Sequence, residues 1–337
     1  MSPDLPQALR SALDKLAHGR SQRDFARRAE MISERYRAGA GSRDAIKDAD
    51  DALAYAFTRM PATFAATAAV LAAVKDAWPE FAPRTLIDAG AGPGTAAWAA
   101  TGQFASLGAV RLIDDNPHLR ALALDLFAAS EAPALGNAAY AQADLGALSQ
   151  GGAPADLVIA SYVVGEPPPD QLPRVADALW SASGAILVVV EPGTPAGFAR
   201  IRALRARLVA RGAHVVAPCP HDRACPIVDP DWCHFAQRLS RSRAHRQVKG
   251  ADLSFEDEKF SCVALARERP PGIAARVLAH PRVGKAEVSA KLCTREGIVT
   301  ATAARREPER YRAQKGWRWG DAVDWRAGPE GPTIEDS

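Results

Sequence analysis

Hydrophobic and polar positions change rhythm three times along the chain. From residue 5 to about 77, Ala, Leu and Arg dominate, and helix breakers are sparse outside Gly39-Ala-Gly-Ser42 and Pro61, so helix is expected. From Arg84 onward, short apolar runs alternate with helical patterns. Thr85-Leu-Ile-Asp88, Val110-Arg-Leu-Ile113 and Asp156-Leu-Val-Ile-Ala160 read as strands, with a helix near 117–130 between the second and third. Gly184-Ala-Ile-Leu-Val-Val-Val190 is wholly apolar, as a strand covered on both faces must be. A helix over Pro195–Gly212 follows, then late strands at His214–Val216 and Phe260–Leu265. This order predicts a doubly wound α/β sheet of seven strands. After Arg267-Glu-Arg-Pro-Pro-Gly272, two alternating runs, Val288–Thr294 and Gly297–Thr302, predict a hairpin turned at Thr294-Arg-Glu-Gly297. The chain thus divides into a helical region (1–80), an α/β domain (81–268), a small β-rich extension (269–327) and a disordered tail (328–337).

Composition narrows the function. The chain has 337 residues, 47% of them hydrophobic, and a net charge of only +3, so a nucleic-acid surface must be a local patch. The N-terminus carries no apolar run of the secretory type, and no later run looks long and apolar enough to span a membrane. Five cysteines, an odd number, point to a reducing compartment and to ligand or core roles rather than disulfides.

The strongest local motif is Asp88-Ala-Gly90-Ala-Gly92-Pro-Gly94-Thr95, between a strand and a helix. Glycines there permit a tight turn and close backbone approach to a ligand. A dinucleotide site is the rival. Two features favour S-adenosylmethionine (SAM): a carboxylate at Asp88 repels a pyrophosphate but attracts an ammonium, and position 95 is Thr where the dinucleotide pattern has its third glycine. Asp114, ending the second strand, suits the ribose hydroxyls. Asp144 falls where the adenine edge would lie, and it can equally cap a surface helix. At the end of the fourth strand, Ser161-Tyr162-Val-Val-Gly-Glu166-Pro167 lacks the Asn/Asp-Pro-Pro-aromatic motif of base amino-methylating enzymes. Glu166 is a candidate base or a turn cap, and Tyr162 a second candidate for the acceptor side.

Three cysteines, Cys219, Cys225 and Cys233, share one Pro-rich loop, where a structural core role is unusual and metal binding is expected. Their spacing is wider than a zinc Cys-x₂₋₄-Cys pair and suits an iron–sulfur cube; His221 and His234 keep zinc open. For the fourth ligand, Cys293 beside the hairpin turn is a better candidate than Cys262 within an apolar strand. A basic run follows, with Arg238, Arg241, Arg243, Arg246 and Lys249, which is either a solvated helix face or a phosphate-binding surface. A second, Arg305–Trp319, interleaves Arg with aromatics that can stack on unpaired bases or close a small core.

Ala217-Pro-Cys-Pro-His-Asp222, Asp231-Trp-Cys-His-Phe235, His245-Arg246 and Asp257-Glu-Lys-Phe-Ser261 resemble the Rsm-type small-ribosomal-subunit methyltransferase-like family, as do Tyr55–Thr63 and Glu191-Pro-Gly-Thr-Pro195. The resemblance runs from about Tyr36 to Asp321. It implies a class I SAM-dependent methyltransferase (Rossmann-like) fold and a 4Fe–4S cluster on Cys219, Cys225, Cys233 and Cys293. It also implies binding to small-subunit rRNA during ribosome assembly. It leaves open whether the chain methylates rRNA or acts as a non-catalytic assembly factor. A zinc-bearing small-molecule methyltransferase is the third alternative. Without a mitochondrial-type presequence, the chain is expected to be a cytoplasmic bacterial member, monomeric off the ribosome and without a membrane partner.

Overall fold

The computed structural model describes residues 4–37, 41–150, 152–241, 253–325 and 333–334. The helical region forms α1 (Gln7–Ala17), α2 (Gln22–Arg37), the single turn α3 (Ser42–Ala45) and the long α4 (Ala49–Ala77). Asp48 caps α4 by accepting from Asp51 N at 2.8 Å. Arg28 of α2 joins α4 through the buried Asp51, 2.6 Å away. Being apolar nearly all round, α4 is buried on most sides against the sheet. It corrects the expectation that no run matches a membrane span: with 29 residues and a mean hydropathy of 1.3 it passes by length and composition, yet 67% of that window is buried inside the protein.

The α/β domain carries β1 (Thr85–Ala89), β2 (Ala109–Asp114), β3 (Ala139–Gln142), β4 (Ala155–Ser161), β5 (Ser183–Pro192), β6 (His214–Ala217), β7 (Phe235–Ser240) and β8 (Phe255–Ala266). Its helices are α5 (Thr95–Gln103), α6 (Pro117–Phe127), the short α7 (Pro133–Gly136), α8 (Leu172–Ala182) and α9 (Pro195–Val209). The strand order is β3-β2-β1-β4-β5-β8-β6, parallel from β3 to β5, with β8 antiparallel to both neighbours. That order, with one reversed strand near the edge, is the class I SAM-dependent methyltransferase fold. The order reverses between β1 and β4, so a crevice opens there at the carboxyl ends of the strands. The wholly apolar β5 is explained by its two faces: Val188 and Val190 join the core under α4, while Leu187 and Val189 join the core under α8 and α9.

The sheet has eight strands rather than seven. The extra one, β7, arises where a charged, solvated segment was expected: Phe235 and Leu239 are buried while Arg238 and Ser240 are exposed. It pairs with the first half of β8 (Phe235↔Phe260), whereas β6 pairs with its last residues (Ala217↔Ala264). Both lie on one edge of β8, and the loop from Pro218 to His234 fills the gap between them, opposite residues 261–263.

The extension forms β9 (Ala275–Val277), β10 (Arg282–Val283), β11 (Glu287–Thr294), β12 (Ile298–Ala304), α10 (Pro308–Gly316), β13 (Ala322–Val323) and β14 (Thr333–Ile334). The antiparallel sheet runs β13-β9-β11-β12-β14, with β10 against β11. The predicted hairpin is β11–β12, closed by Thr294 N donating to Gly297 O at 2.8 Å. Of the tail beyond Gly328, residues 333–334 are described, as the strand beside β12. Trp317 and Trp325 pack on the extension's own core.

Candidate functional site

The glycine loop leaves β1 with three residues in the left-handed region: Gly90 at φ 70°, Gly92 at 53° and Gly94 at 78°. At two of them space as well as φ excludes a side chain. A Cβ on Gly90 would stand 2.3 Å from Val163, and one on Gly94 would stand 2.4 Å from Phe127. Gly92 is sterically open, its nearest neighbour 3.8 Å away, but its backbone is held from both sides. Its N–H donates to Asp114 Oδ2 at 2.9 Å, and its carbonyl accepts from the Tyr140 hydroxyl at 2.7 Å.

Beside this loop a pocket of about 1,290 Å³, mouth included, is lined by Gly90, Asp114, Asp115, Asp144, Val163 and Glu166 among others. Of the residues picked from sequence, Gly90, Asp114, Asp144 and Glu166 therefore meet. Asp114 also accepts from Asn116 N at 2.9 Å, and Asp144 both faces the pocket and accepts from Gly146 N at 2.8 Å. Asp88, Gly92 and Gly94 shape the loop from behind it. Asp88 is fully buried and accepts from Ala97 N at 3.0 Å, at the start of α5. Tyr162 is turned elsewhere: it has φ 59°, and its hydroxyl donates to Glu258 Oε1 on β8 at 2.7 Å.

The pocket is electrostatically strained toward negative charge. Burial pushes Asp88 up to about 7, against the Ala97 N–H, with Asp114 adding to the rise. Burial also raises Asp114. Glu166 is raised to about 7, first by desolvation and then by Asp114. Each carboxyl resists ionising beside the others. A cationic ligand relieves this, and a pyrophosphate would worsen it.

Asn116 is the residue that sequence pattern does not reveal. Fully buried, it caps α6 by accepting from His118 N and Leu119 N at 3.0 and 3.1 Å. Its amide donates to the carbonyls of Ser42 and Ile46, both at 3.1 Å, which pins the α3 turn over the pocket. The Asn-Pro pair announces the cap; its long-range partners lie 70 or more residues away.

The second constellation is a cavity of about 500 Å³, mouth included, lined by all five cysteines. Cys219, Cys225 and Cys233 come from the loop between β6 and β7, Cys262 from β8 and Cys293 from the end of β11. Each is a free thiol. Burial raises Cys233 well above the usual thiol range, and Cys219, Cys262, Cys225 and Cys293 each push it further, so the sulfurs face one another. Cys262 is pushed up to about 12 by burial, and Cys219 and Cys293 are raised by burial too. Among the described residues no group of three or more His, Cys, Asp or Glu side chains could hold a single metal ion as it stands. His221 Nε2 lies 3.8 Å from Cys293 Sγ; His234 instead stacks on Trp232, ring centroids 5.1 Å apart, and meets Trp319 edge-on at 4.9 Å.

The loop is tied to the extension beyond the thiols. Lys291 of β11 pairs with Asp231 at 2.8 Å, and Arg276 of β9 donates to Pro218 O at 2.9 Å. Of the basic run, Arg238 and Arg241 are described. Arg238 makes a two-pronged pair with Asp257 (2.7 and 2.8 Å) and covers the Phe255 ring; Arg241 pairs with Glu256 at 2.7 Å. Both charges are thus partly spent inside the sheet. Arg243, Arg246 and Lys249 lie outside the described residues.

The family model described as mitochondrial small ribosomal subunit Rsm22 matches residues 49–325. The human ribosome assembly protein METTL17, mitochondrial, is 30% identical over 295 residues, covering 80% of this chain and 62% of that protein. The Rsm22-cox11 tandem protein 2, mitochondrial, of Schizosaccharomyces pombe is 30% identical over 224 residues, covering 58% of this chain and 30% of that protein. The chain therefore spans less than two thirds of the length of either relative. Among solved structures, magnesium protoporphyrin IX methyltransferase from Synechocystis with bound S-adenosylhomocysteine has a TM-score of 0.40 at 16% identity, covering 70% of this chain and 93% of that one.

Proposed function

The chain belongs to the mitochondrial small ribosomal subunit Rsm22 family, and from that premise we propose that it binds SAM and a 4Fe–4S cluster and serves small-subunit ribosome assembly by contacting rRNA. The observation that carries the reading is the convergence of Cys219, Cys225, Cys233 and Cys293, from two separate parts of the fold, on one cavity. Neutral thiols pack as small hydrophobes; the feature that points to a metal is that three of these come from one Pro-rich loop and a fourth from the extension. A metal deprotonates coordinating thiols outright, and its binding to the folded form adds to stability. The wide spacing of Cys219, Cys225 and Cys233 favours a four-iron cube over a zinc site built on a close Cys-x₂₋₄-Cys pair, with zinc, aided by His221 beside Cys293, as the alternative. Cys262 shares the cavity as a fifth thiol in the apolar strand β8, where its burial is already accounted for by packing. The role of the bound cluster is to join the cysteine loop to the extension.

SAM suits the nucleotide pocket because its sulfonium and ammonium answer the raised carboxyls, and the pocket-lining Asp114 is the carboxylate proposed to take the ribose diol. A methyl-transfer role is favoured by one feature, the Glu166 carboxyl that lines the pocket while open to solvent, placed where a general base could meet an acceptor. Against it, the hydroxyl of Tyr162 is committed to Glu258.

The test is anaerobic purification with iron, zinc and acid-labile sulfide analysis, followed by crosslinking to RNA in cells. About four irons and four sulfides per chain, with crosslinks concentrated on small-subunit rRNA in pre-ribosomal particles, are expected. Stoichiometric zinc without sulfide overturns the cluster; crosslinks spread over mRNA and tRNA overturn the ribosomal role. Loss of the protein with every rRNA methyl mark retained leaves assembly without methyl transfer.

A further inference from the structure

Three arginines line the cysteine cavity, and nothing in the sequence motifs points to them; Arg202 is only half-buried, donating to Ile227 O at 3.3 Å, and the other two are fully buried. Arg205 on α9 and Arg276 on β9 are each 4% exposed. Arg205 donates from Nη2 to His221 O at 2.7 Å, and its guanidinium lies close enough to Cys219 to favour the thiolate there. Arg276 donates from Nε to Pro218 O at 2.9 Å and from Nη1 to Gly320 O at 2.7 Å. One nitrogen on each, Arg205 Nε and Arg276 Nη2, is buried without a hydrogen-bond partner. Among the described residues neither guanidinium forms an ion pair with a carboxylate. Guanidinium groups do not lose their charge in proteins, so two positive charges are buried facing a pocket of sulfur. Burying a charge without a counter-charge is heavily penalised, and so is a buried N–H without an acceptor.

We propose that Arg205 and Arg276 are the counter-charges of the cavity's metal centre, that their free N–H groups face its sulfur atoms, and that they set its reduction potential. The charges balance. Four thiolates contribute −4 and an oxidised 4Fe–4S core +2, so the assembly carries −2 against the two buried guanidiniums, the half-buried Arg202 being open to solvent. The placement suits this role. Cys293 and Arg276 are opposite one another on β11 and β9, so the extension supplies one thiolate and one compensating cation from the same pair of strands. Arg205 brings the other cation from the α/β domain, beside Cys219. A nearby positive charge stabilises the more negative, reduced state, and hydrogen bonds to cluster sulfur act in the same direction. The inference rests on the cluster proposed above.

The experiment uses the full chain, purified anaerobically, as wild type and as Arg205→Gln, Arg276→Gln, Arg205→Lys and Arg276→Lys. Midpoint potential is titrated with dithionite and followed by visible absorbance; iron and sulfide content and the rate of iron loss to a chelator are measured alongside. Each Gln variant is expected to show a more negative potential and several-fold faster iron loss. The Lys variants, which keep the charge but not the guanidinium's bonds to backbone carbonyls, should return toward the wild-type potential. A purely structural arginine would change stability and iron content without this charge-dependent shift in potential. Gln variants that keep both iron and the wild-type potential overturn the proposal while leaving the cluster standing. Equal iron loss in the Gln and Lys variants overturns it too, assigning both residues to their carbonyl bonds. Wild-type protein without iron and sulfide removes the cluster itself, and this inference with it.

Discussion

The nucleotide pocket and the cysteine cavity are built on opposite plans. The pocket is organised by backbone: a single turn after β1, three glycines in the left-handed region, and N–H groups received by Asp114 and Asp88. The cavity is organised by side chains drawn from the β6–β7 loop, β8, α9 and the extension. The first centres on one contiguous turn, to which Asp114, Asp144 and Glu166 are added from later strand ends, and a change in the turn is expected to act locally. The second is dispersed, and a change in one element is felt in another domain. The comparison also separates two uses of burial. In the pocket, burial raises carboxyls that a cation can relieve; in the cavity, it raises thiols that a metal can ionise.

The largest expected effect tests the dispersed plan. Cys293→Ser should bleach the visible absorbance of the anaerobic protein and loosen the extension, read as faster proteolysis near Arg267–Pro271. Ligand-linked stability is lost along with the ligand. Cys262→Ser is the control: it costs packing in β8 but should keep the iron. A Cys293→Ser protein with full iron and an unchanged cleavage pattern would show that the extension is held by Lys291–Asp231 and the Arg276 bonds alone.

The next effect tests the local plan. Gly90→Ala should cost on the order of 3–5 kcal/mol, combining overpacking against Val163 with left-handed strain, and should abolish SAM binding in calorimetry. Gly92→Ala, with open space around it, carries only the conformational part, about 1–2 kcal/mol. Equal losses at the two positions would mean that φ alone, not the approach of Val163, decides the loop.

How much of this was legible in the sequence follows the same division. The alternation of strands and helices and the glycine loop were readable, because short-range pattern encodes them; the four-residue β3, Ala139–Gln142, was not. The hairpin of the extension was marked by Thr294–Gly297. What escaped were features whose partners are distant. Asn116 announces itself as a cap, but its amide's grip on Ser42 and Ile46 is set by tertiary packing. Strand β7 hid inside a run dense in arginine because its inward positions are only Phe235 and Leu239. Arg205 looks like one more arginine on the Arg-rich helix α9, and only the fold turns it inward. Tyr162 sits where an acceptor-side residue is expected, but its positive φ accompanies a hydroxyl bonded to Glu258 instead.

A smaller effect concerns the pocket's electrostatics. Asp88 is held protonated in the folded chain up to about 7, whereas in the unfolded chain it ionises near 3.8. Between those values the folded state binds a proton that the unfolded state has released. Stability from this group is therefore fully present below about 4 and is lost as pH rises to about 7. Asp88→Asn, neutral throughout and able to accept the Ala97 N–H through its amide oxygen, should lack that slope. The difference between wild type and variant should change by roughly 2–4 kcal/mol across the window, measured by denaturant unfolding. Parallel curves would mean that the Ala97 N–H holds the ionised Asp88 behind the glycine loop as well as water does, and that burial does not move its titration.

The smallest effect separates cations already used within the fold from cations free for RNA. Arg238 is exposed, yet its guanidinium is bound by both oxygens of Asp257 and lies 4.1 Å from the centre of the Phe255 ring. Each phosphate neutralised by a protein cation releases counterions and steepens the salt dependence of binding by about 0.9 in log–log slope. A cation that keeps its carboxylate contributes less, so Arg238→Ala should lower the slope by well under that amount. Asp257→Asn should do the reverse, freeing the guanidinium, tightening RNA binding at low salt and steepening the slope. If Arg238→Ala instead removes a full phosphate's worth of slope, the Asp257 pair opens on binding and β7 is part of the RNA surface. If neither variant changes it, the phosphate contacts lie elsewhere on the chain, and β7 serves to close the sheet beside the cysteine loop.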